Sequence, residues 1–321
     1  MGGAVDDLVR LRKRYAANHL DSPQWSKVTA ADVRCDVLAA GVGPPLVLVH
    51  GGMAHCTQWV PLMARLTDHF RCYAVERPSN GASDALDHEP IVDRLAHVSR
   101  VIGDLLDGIG VTRAPIIGNS LGGLYALGFA TRHPERVGHL ILAGAPASHD
   151  HPVPLPVRLI AGRITGRLLK PALSRMGPKG TRRGEAQLLV ANAQRLTDDY
   201  LEVGAATTRR NAEAWPSYMR WAVQGRAIHP DMPASDWAAD AARLGVPLSY
   251  LWGSGDRFVP VERGRHLAHA IGADFVEIAD AGHLVWLDQP DRCAEAVRAI
   301  LGGSAADQEA GSDRPPPLSP A

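Results

Sequence analysis

The sequence predicts an α/β protein in which helices cover both faces of a mostly parallel, doubly wound sheet. Strongly apolar runs at 46–49, 114–117 and 137–143 are typical of parallel strands buried on both faces. Amphipathic helical patterns separate these runs, and this alternation indicates a doubly wound sheet. From 148 to 235 no buried strand pattern appears, which favours an inserted, all-helical cap.

The elements follow in order from the N-terminus. Leu8, Leu11 and Tyr15 recur at helical spacing, so we expect a first helix, and after it a loop that contains Pro23. The expected strands are 33–38, 46–49, 72–75, 114–117, 137–143, 248–251 and 275–278. The expected helices are 57–69, 91–107, 121–130, 157–169, 185–196, 198–210, 213–223, 261–271 and 292–301. We therefore predict a core at 1–147 and 236–302, a cap at 148–235, and a disordered, proline-containing tail at 303–321.

Composition excludes several classes of protein. Lys plus Arg and Asp plus Glu number 34 each, so the chain lacks the basic excess of a general nucleic-acid binder. No uncharged apolar run is long enough to span a membrane, and the first residues carry no apolar signal core. The four cysteines are scattered, without the paired spacing of metal ligands. We expect a cytoplasmic enzyme with no metal, no cofactor and no nucleic-acid partner; its oligomeric state stays open.

A Gly-x-Ser-x-Gly motif marks the centre of the predicted sheet. Gly118–Gly122 follows the apolar run 114–117 directly, and an apolar helical run begins at Leu121. A strand, a sharp turn and a helix in this order are the context in which a serine becomes an exposed nucleophile. The two glycines fit because a Cβ at either position would collide with neighbouring backbone. The helix directs its free N–H groups towards Ser120.

Three further signatures accompany this motif, and together the four resemble the α/β-hydrolase superfamily from about 33 to 302. They are His50–Gly51–Gly52, the run 251–260 (Leu-Trp-Gly-Ser-Gly-Asp-Arg-Phe-Val-Pro), and Ala281–Gly282–His283. The chain is most similar to the serine-nucleophile branch with a helical cap, which includes carboxylesterases and meta-cleavage-product hydrolases. The family order of nucleophile, acid and histidine is kept.

The resemblance implies a catalytic triad of Ser120, Asp256 and His283. It also implies an oxyanion hole built from backbone N–H groups, one of Leu121 and one of Gly52 or Met53. The chemistry needs these residue types, because a histidine activates the serine and a carboxylate orients the imidazole. Asp150 is a rival acid, since some relatives carry the acid after the preceding strand. Four other polar residues nearby have expected minor roles: His50 shapes its loop, Asp280 lies too near His283, and His266 and His269 are solvated. His55 either faces the pocket or occupies an ordinary loop position, and the loop position is favoured.

The loop after the fourth family strand departs from the family pattern. Relatives often carry Asp-x-Pro-Gly-x-Gly-x-Ser there, whereas this chain has Glu76–Arg77–Pro78–Ser79–Asn80–Gly81–Ala82–Ser83. That loop is mainly structural in the family, so the departure affects local geometry rather than the reaction.

The leading functional hypothesis is a serine hydrolase that cleaves an ester of a small or medium-sized acyl substrate through an acyl-enzyme. The alternatives are C–C bond hydrolysis of a vinylogous diketone, a perhydrolase or haloperoxidase-like activity on the same triad, and a non-catalytic ligand-binding receptor on the same fold. A serine in place of an aspartate nucleophile argues against haloalkane dehalogenase and epoxide hydrolase activity.

The segment 151–184 is strongly basic. It contains eight Lys and Arg and no Asp or Glu. Val157, Ile160, Ala161, Ile164 and Leu168 recur at helical spacing, with arginines mostly between them. One interpretation is an ordinary cap whose apolar stripe covers the active site and whose basic face is solvated. The other is that the basic face attracts an anionic substrate, or rests against anionic lipid or a partner.

Overall fold

The structure, a computed structural model, describes residues 2–145 and 151–312, except the side chains of 2–6 and 303–312. The strands are β1 Gln24–Ala30, β2 Val33–Ala40, β3 Pro45–Val49, β4 Arg71–Val75, β5 Ala114–Asn119, β6 Val137–Ala143, β7 Val223–Gln224, β8 Ala227–Ile228, β9 Leu248–Gly253 and β10 Asp274–Ile278. Eight of them form one sheet in the order β1-β2-β4-β3-β5-β6-β9-β10. The pairs β1–β2 and β2–β4 are antiparallel, and the remaining pairs are parallel.

The helices are α1 Gly2–His19, α2 Val60–Leu66, α3 Arg94–Gly108, α4 Leu121–Arg132, α5 Leu155–Ala161, α6 Arg163–Leu173, α7 Pro178–Leu188, α8 Asp198–Asn211, α9 Ala214–Ala222, α10 Ala234–Arg243, α11 Val261–Ala270, α12 Val285–Asp288 and α13 Pro290–Ser312. Short 3-10 turns occur at Cys56–Trp59, Pro134–Arg136 and Ala193–Arg195. Among the described residues, no helix is long and apolar enough to cross a membrane.

Helices bury both faces of the sheet. One apolar core contains side chains of α3, α4, α10 and α11, and the other contains side chains of α1, α2, α12 and α13. β3 shows why its sequence is apolar throughout: Val47 and Val49 enter the first core, whereas Leu46 and Leu48 enter the second. This arrangement confirms the predicted α/β fold with a mostly parallel, doubly wound sheet.

Four details differ from the predictions. β1 lies where a loop is expected, because this edge strand is polar and largely exposed, so its sequence lacks an apolar alternation. The expected helix 57–69 is split into the 3-10 turn Cys56–Trp59 and the shorter α2. Among residues 151–233 the structure has the helices α5 to α9 and also the β7–β8 hairpin, which is too short to give a periodic signal. α13 continues to Ser312 and so enters the predicted disordered tail, where Ala, Gln and Glu favour helix; 313–321 lie outside the described residues.

The strand order brings two loops together at one edge of the sheet. β3 lies between β4 and β5, so the connections that leave β3 and β5 diverge from a topological switch point. In open parallel sheets, ligands bind at the carboxyl ends of the strands at such a point. The loop that begins at His50 and the turn at Ser120 both lie here.

Candidate active site

Ser120 occupies the turn between β5 and α4 in a strained backbone conformation. Its φ is 49° and its ψ is −122°, a combination that residues with a Cβ rarely adopt. A Cβ on Gly122 would lie 2.3 Å from the carbonyl oxygen of His50, and one on Gly118 would lie 2.6 Å from Gly123 Cα. Only glycine therefore allows the turn to approach β3 and α4 this closely. Leu121 is the first residue of α4, so its N–H has no acceptor within the helix.

The loop after β3 is fixed by the side chains of His50 and Arg77. The His50 ring bonds to backbone on both sides: Nδ1 lies 2.8 Å from the Gly51 carbonyl oxygen, and Nε2 accepts the Arg77 N–H at 3.2 Å. Burial, with the charge of Arg77, holds the pKa of His50 well below its usual range. A neutral His50 ring with a hydrogen bond at each nitrogen fits the loop-shaping role that the sequence predicts. Met53, with φ 53°, continues this loop.

Arg77 is a buried cation beneath the same loop, and the sequence analysis missed its role. Its Nε donates to the His50 carbonyl at 3.2 Å, and its Nη2 donates to the Gly51 carbonyl. Its Nη1 donates to the Tyr218 hydroxyl, on α9, and the guanidinium lies 4.6 Å from the centre of the Tyr125 ring. Arg77 therefore connects the loop after β3 to α9, a contact that no local sequence pattern predicts.

The departure from the family loop pattern has a compact structural explanation. Glu76 is buried, forms an ion pair with Arg12 at 3.2 Å and accepts the N–H of Ala82 at 2.9 Å. A Cβ on Gly81 would overlap this carboxylate, so glycine is required at that position. Ser79 stands where relatives often have glycine and adopts φ 62°; its hydroxyl accepts the N–H of Leu86 at 2.8 Å, which holds the turn.

Asp256 and His283 meet at the ends of β9 and β10. His283 Nδ1 lies 2.8 Å from Asp256 Oδ2, while Asp256 Oδ1 accepts the N–H groups of Phe258 at 2.7 Å and Val259 at 2.9 Å. The Phe258 ring stacks on the imidazole at 4.7 Å between ring centres. These contacts orient the imidazole, and Nε2 of His283 is buried with no hydrogen-bond partner among the described residues.

A single cavity contains the side chains that the sequence analysis singled out. It encloses about 810 Å³ of empty space, including its mouth. Ser120, His283, Leu121 and the Gly52–Met53 segment all line it, whereas Asp256 lies behind His283. Much of the remaining lining comes from α7 and α8. The structure thus brings the predicted nucleophile, base and oxyanion loop to one solvent-accessible space.

The remaining candidates fall elsewhere or differ from expectation. Asp150 lies outside the described residues, so its rivalry with Asp256 stays open. His266 and His269 are exposed, as expected, and Asp280 is exposed as well. For His55 the favoured loop position is wrong and the alternative position is found, because the side chain is buried and lines the cavity. Burial lowers its pKa to about 3, so the ring is neutral.

The cavity also contains polar side chains that the sequence analysis missed. Gln58, Glu185 and Thr207 line it, and each has a buried atom without a hydrogen-bond partner among the described residues: Nε2, Oε2 and Oγ1 respectively. These three residues lie on separate elements, so no sequence motif links them. Glu185 Oε1 accepts a hydrogen bond from the Tyr200 hydroxyl at 3.3 Å, and burial raises the pKa of Glu185 to about 7.

The apolar stripe expected to cover the active site is divided in the structure. Val157 and Ala161 are buried, whereas Ile164 and Leu168 are exposed. α5 ends at Ala161, and Gly162, with an extended backbone, separates it from α6. The break changes the helical phase, so the later part of the stripe faces outwards. No basic side chain of 151–184 lies among the residues that line the cavity.

Comparisons with known proteins agree with this architecture. The alpha/beta hydrolase family matches residues 46–296, and the chain belongs to this family. A 2-hydroxy-6-oxo-6-phenylhexa-2,4-dienoate hydrolase of Comamonas testosteroni is 27% identical over 265 residues, which cover 78% of this chain and 85% of that protein.

Two solved structures share the fold at low sequence identity. A carboxylesterase from Bacillus subtilis superposes with a TM-score of 0.72 and 20% identity, covering 94% of this chain and 99% of that one. A meta-cleavage product hydrolase from Pseudomonas fluorescens gives a TM-score of 0.69 and 20% identity, covering 87% and 98%. The chain is therefore a hydrolase of the α/β-hydrolase family, with relatives that differ in the bond they break.

Proposed function

We propose that this protein is a serine hydrolase that cleaves neutral esters through an acyl-enzyme on Ser120. The observation that carries the proposal is the His283 ring, which is anchored by Asp256 on one side and presents an unpartnered Nε2 in the cavity that Ser120 lines. A ring held in this way is suited to take the serine proton.

The reaction follows from these positions. Ser120 Oγ attacks the ester carbonyl carbon as its proton passes to His283 Nε2, and Asp256 stabilises the imidazolium. The N–H of Leu121 and that of Gly52 or Met53 stabilise the negative oxygen. The imidazolium then protonates the departing alcohol, which leaves the acyl group on Ser120. Water, activated by the same imidazole, releases the acid and restores the serine.

Charge in the cavity favours a neutral ester over an anionic dienoate. Among the described residues that line the cavity there is no Lys or Arg, while Glu185 contributes an acidic group. A substrate carboxylate buried beside that wall would lose hydration without gaining a cationic partner, which costs several kcal/mol. The named substrate of the Comamonas relative is a dienoate, whereas the Bacillus subtilis neighbour is a carboxylesterase. The charge of this cavity lining therefore favours the ester over the dienoate as the substrate of this protein.

The first prediction is that a neutral ester is the better substrate. We expect kcat/KM for p-nitrophenyl butyrate to exceed that for 2-hydroxy-6-oxo-6-phenylhexa-2,4-dienoate by at least about 100-fold, since a poorly compensated buried charge costs ~3 kcal/mol or more. Stopped-flow assays should show a burst of p-nitrophenol equal to the enzyme concentration if deacylation is slower than acylation. Ser120→Ala is the control and should lose both activities. A higher kcat/KM for the dienoate would replace the ester assignment by C–C hydrolysis, and turnover of neither would contradict both.

A further inference from the structure

The lining of the cavity has a polar part that the triad does not use. Glu185 projects from α7, and Thr207 lies on α8. Gln58, from the 3-10 turn before α2, completes the set. Gln58 and Thr207 are at least 98% buried. Buried polar atoms are almost always paired in folded proteins. Three residues of one cavity lining therefore each carry an unpaired polar atom that a ligand can complete.

We propose that Glu185 is the acceptor of a polar subsite that binds a hydroxyl or ammonium group of the substrate, apart from its ester. This inference rests on the proposed ester hydrolysis. Tyr200 already occupies Oε1, so Oε2 is left for the ligand. Thr207 Oγ1 adds a second acceptor, and Gln58 Nε2 can donate to a hydroxyl oxygen. Above its pKa, the Glu185 carboxylate would also repel a substrate carboxylate.

The subsite has a pH dependence of its own. Burial, together with the charge of Asp288, raises the pKa of Glu185, while the Tyr200 hydrogen bond opposes the rise; the result is about 7. Charged or titratable groups on the elements packed around α7 include Asp198 of α8, which pairs with Arg182, and Arg209 of α8, which donates to the Met176 carbonyl. They also include Arg195 in the 3-10 turn packed on α7, Arg257, which donates to the Ala186 carbonyl, and His55, which lines the same cavity. Below its pKa Glu185 is neutral and binds a hydroxyl; above it the carboxylate also attracts a cation.

The second prediction concerns three esters of equal length whose alcohol ends in a methyl, hydroxyl or primary ammonium group. The ratio of kcat/KM for the ammonium ester to that for the methyl ester should rise about tenfold from pH 6 to pH 8, since the ionised fraction of a group with a pKa near 7 rises by that factor. Taking a ratio cancels the pH effects that all three esters share. Glu185→Gln should make the ratio independent of pH.

The control is Glu202→Gln, an exposed carboxylate on α8 that pairs with Arg14 and does not line the cavity. It should leave the ratio and its pH profile unchanged. A ratio that is flat with pH in the unmodified protein, or an equal loss for all three esters in Glu185→Gln, would overturn the subsite. Failure of all three esters in the unmodified protein would instead reject the ester hydrolysis itself.

A separate observation concerns the outer surface of α5 and α6. Leu155, Leu159, Ile164 and Leu168 are 37–74% exposed, and they are four of the seven large apolar side chains exposed among the described residues. Arg163 and Arg167 are exposed beside them and form no ion pair within the described part of the chain. We call these six residues the α5–α6 face. Unpaired arginines between exposed aliphatic side chains are typical of helices that lie in a lipid interface.

We infer that the α5–α6 face docks on an anionic lipid surface. The segment 151–184 has eight basic residues and no acidic ones, which complements anionic headgroups, and the leucine and isoleucine side chains can enter the acyl boundary. α5 also connects this face to the cavity, because Val157 lines the cavity from the same helix. A lipid-bound enzyme would therefore have its cavity wall next to the membrane.

The third prediction is that the protein sediments with vesicles of phosphatidylcholine and phosphatidylglycerol but not with pure phosphatidylcholine, and that added salt weakens binding. Arg163→Glu/Arg167→Glu should reduce the partition coefficient at least about tenfold, and Ile164→Ser/Leu168→Ser should reduce it as well. Leu244→Ser, an exposed leucine elsewhere, is the matched control and should bind normally. Equal binding to both vesicle types, no binding, or binding unaffected by either double variant would contradict the docking surface.

Discussion

Ser120→Gly should abolish ester hydrolysis and at the same time make the protein more stable. The loss of activity, about 10⁴-fold or more in kcat, follows from removal of the nucleophile. The gain in stability follows from the backbone, because φ 49° and ψ −122° strain a residue with a Cβ by about 1–3 kcal/mol, whereas glycine adopts them freely. Against this stands the greater freedom of glycine in the unfolded chain, about 0.5–1 kcal/mol. The net gain is roughly 1 kcal/mol, or a few degrees in Tm.

Ser120→Ala separates the two effects. It removes the hydroxyl but keeps the Cβ and therefore the strain, so it should lose activity without the gain in Tm. The measurements are ester turnover and thermal unfolding of both variants beside the unmodified protein. Equal Tm values for the alanine and glycine variants would reject the account of strain, and turnover by either variant would reject Ser120 as the nucleophile.

Asp256→Asn should lower kcat about 10³–10⁴-fold and change KM little. The asparagine oxygen can still accept the N–H groups of Phe258 and Val259, so the loop should hold. Its amide NH₂ would then face His283 Nδ1, which favours the tautomer with the proton on Nε2. That tautomer cannot take the serine proton, and no carboxylate stabilises the imidazolium.

Two further variants test whether Asp256 is the acid of the triad. Asp280→Asn alters an exposed carboxylate close to His283 in the sequence, and turnover should stay within about twofold of the unmodified protein, as for an ordinary surface change. Asp150→Asn tests the rival position. If Asp150→Asn removes turnover and Asp256→Asn is mild, the acid is Asp150.

The central strands and the motifs at their ends could be predicted from the sequence because their determinants are local. β3 is apolar on both faces, and Gly118 and Gly122 mark a turn that admits no Cβ. Ser120, Asp256 and His283 each come after a strand, namely β5, β9 and β10, and their order along the chain is that of the family. The structure adds the distance between Asp256 and His283 and the free Nε2, which no pattern of residue types contains.

The cavity wall could not be predicted because its residues meet only through tertiary packing. Glu185 and Thr207 lie on different helices of the insertion, and Gln58 comes from the core. Arg77 occupies a variable position of the loop motif, so the motif does not predict its contacts with the Gly51 carbonyl and Tyr218. The helical period from Val157 to Leu168 was continuous in sequence, but Gly162 interrupts the helix.

Covalent labelling of Ser120 tests the central claim most directly. A fluorophosphonate should react with the unmodified protein at one equivalent per chain, and peptide mass spectrometry should locate the adduct on Ser120. Ser120→Ala should not be labelled, and p-nitrophenyl butyrate should compete for the site. An adduct on another residue, or no adduct on protein whose Tm shows it to be folded, would contradict the assignment of a serine hydrolase.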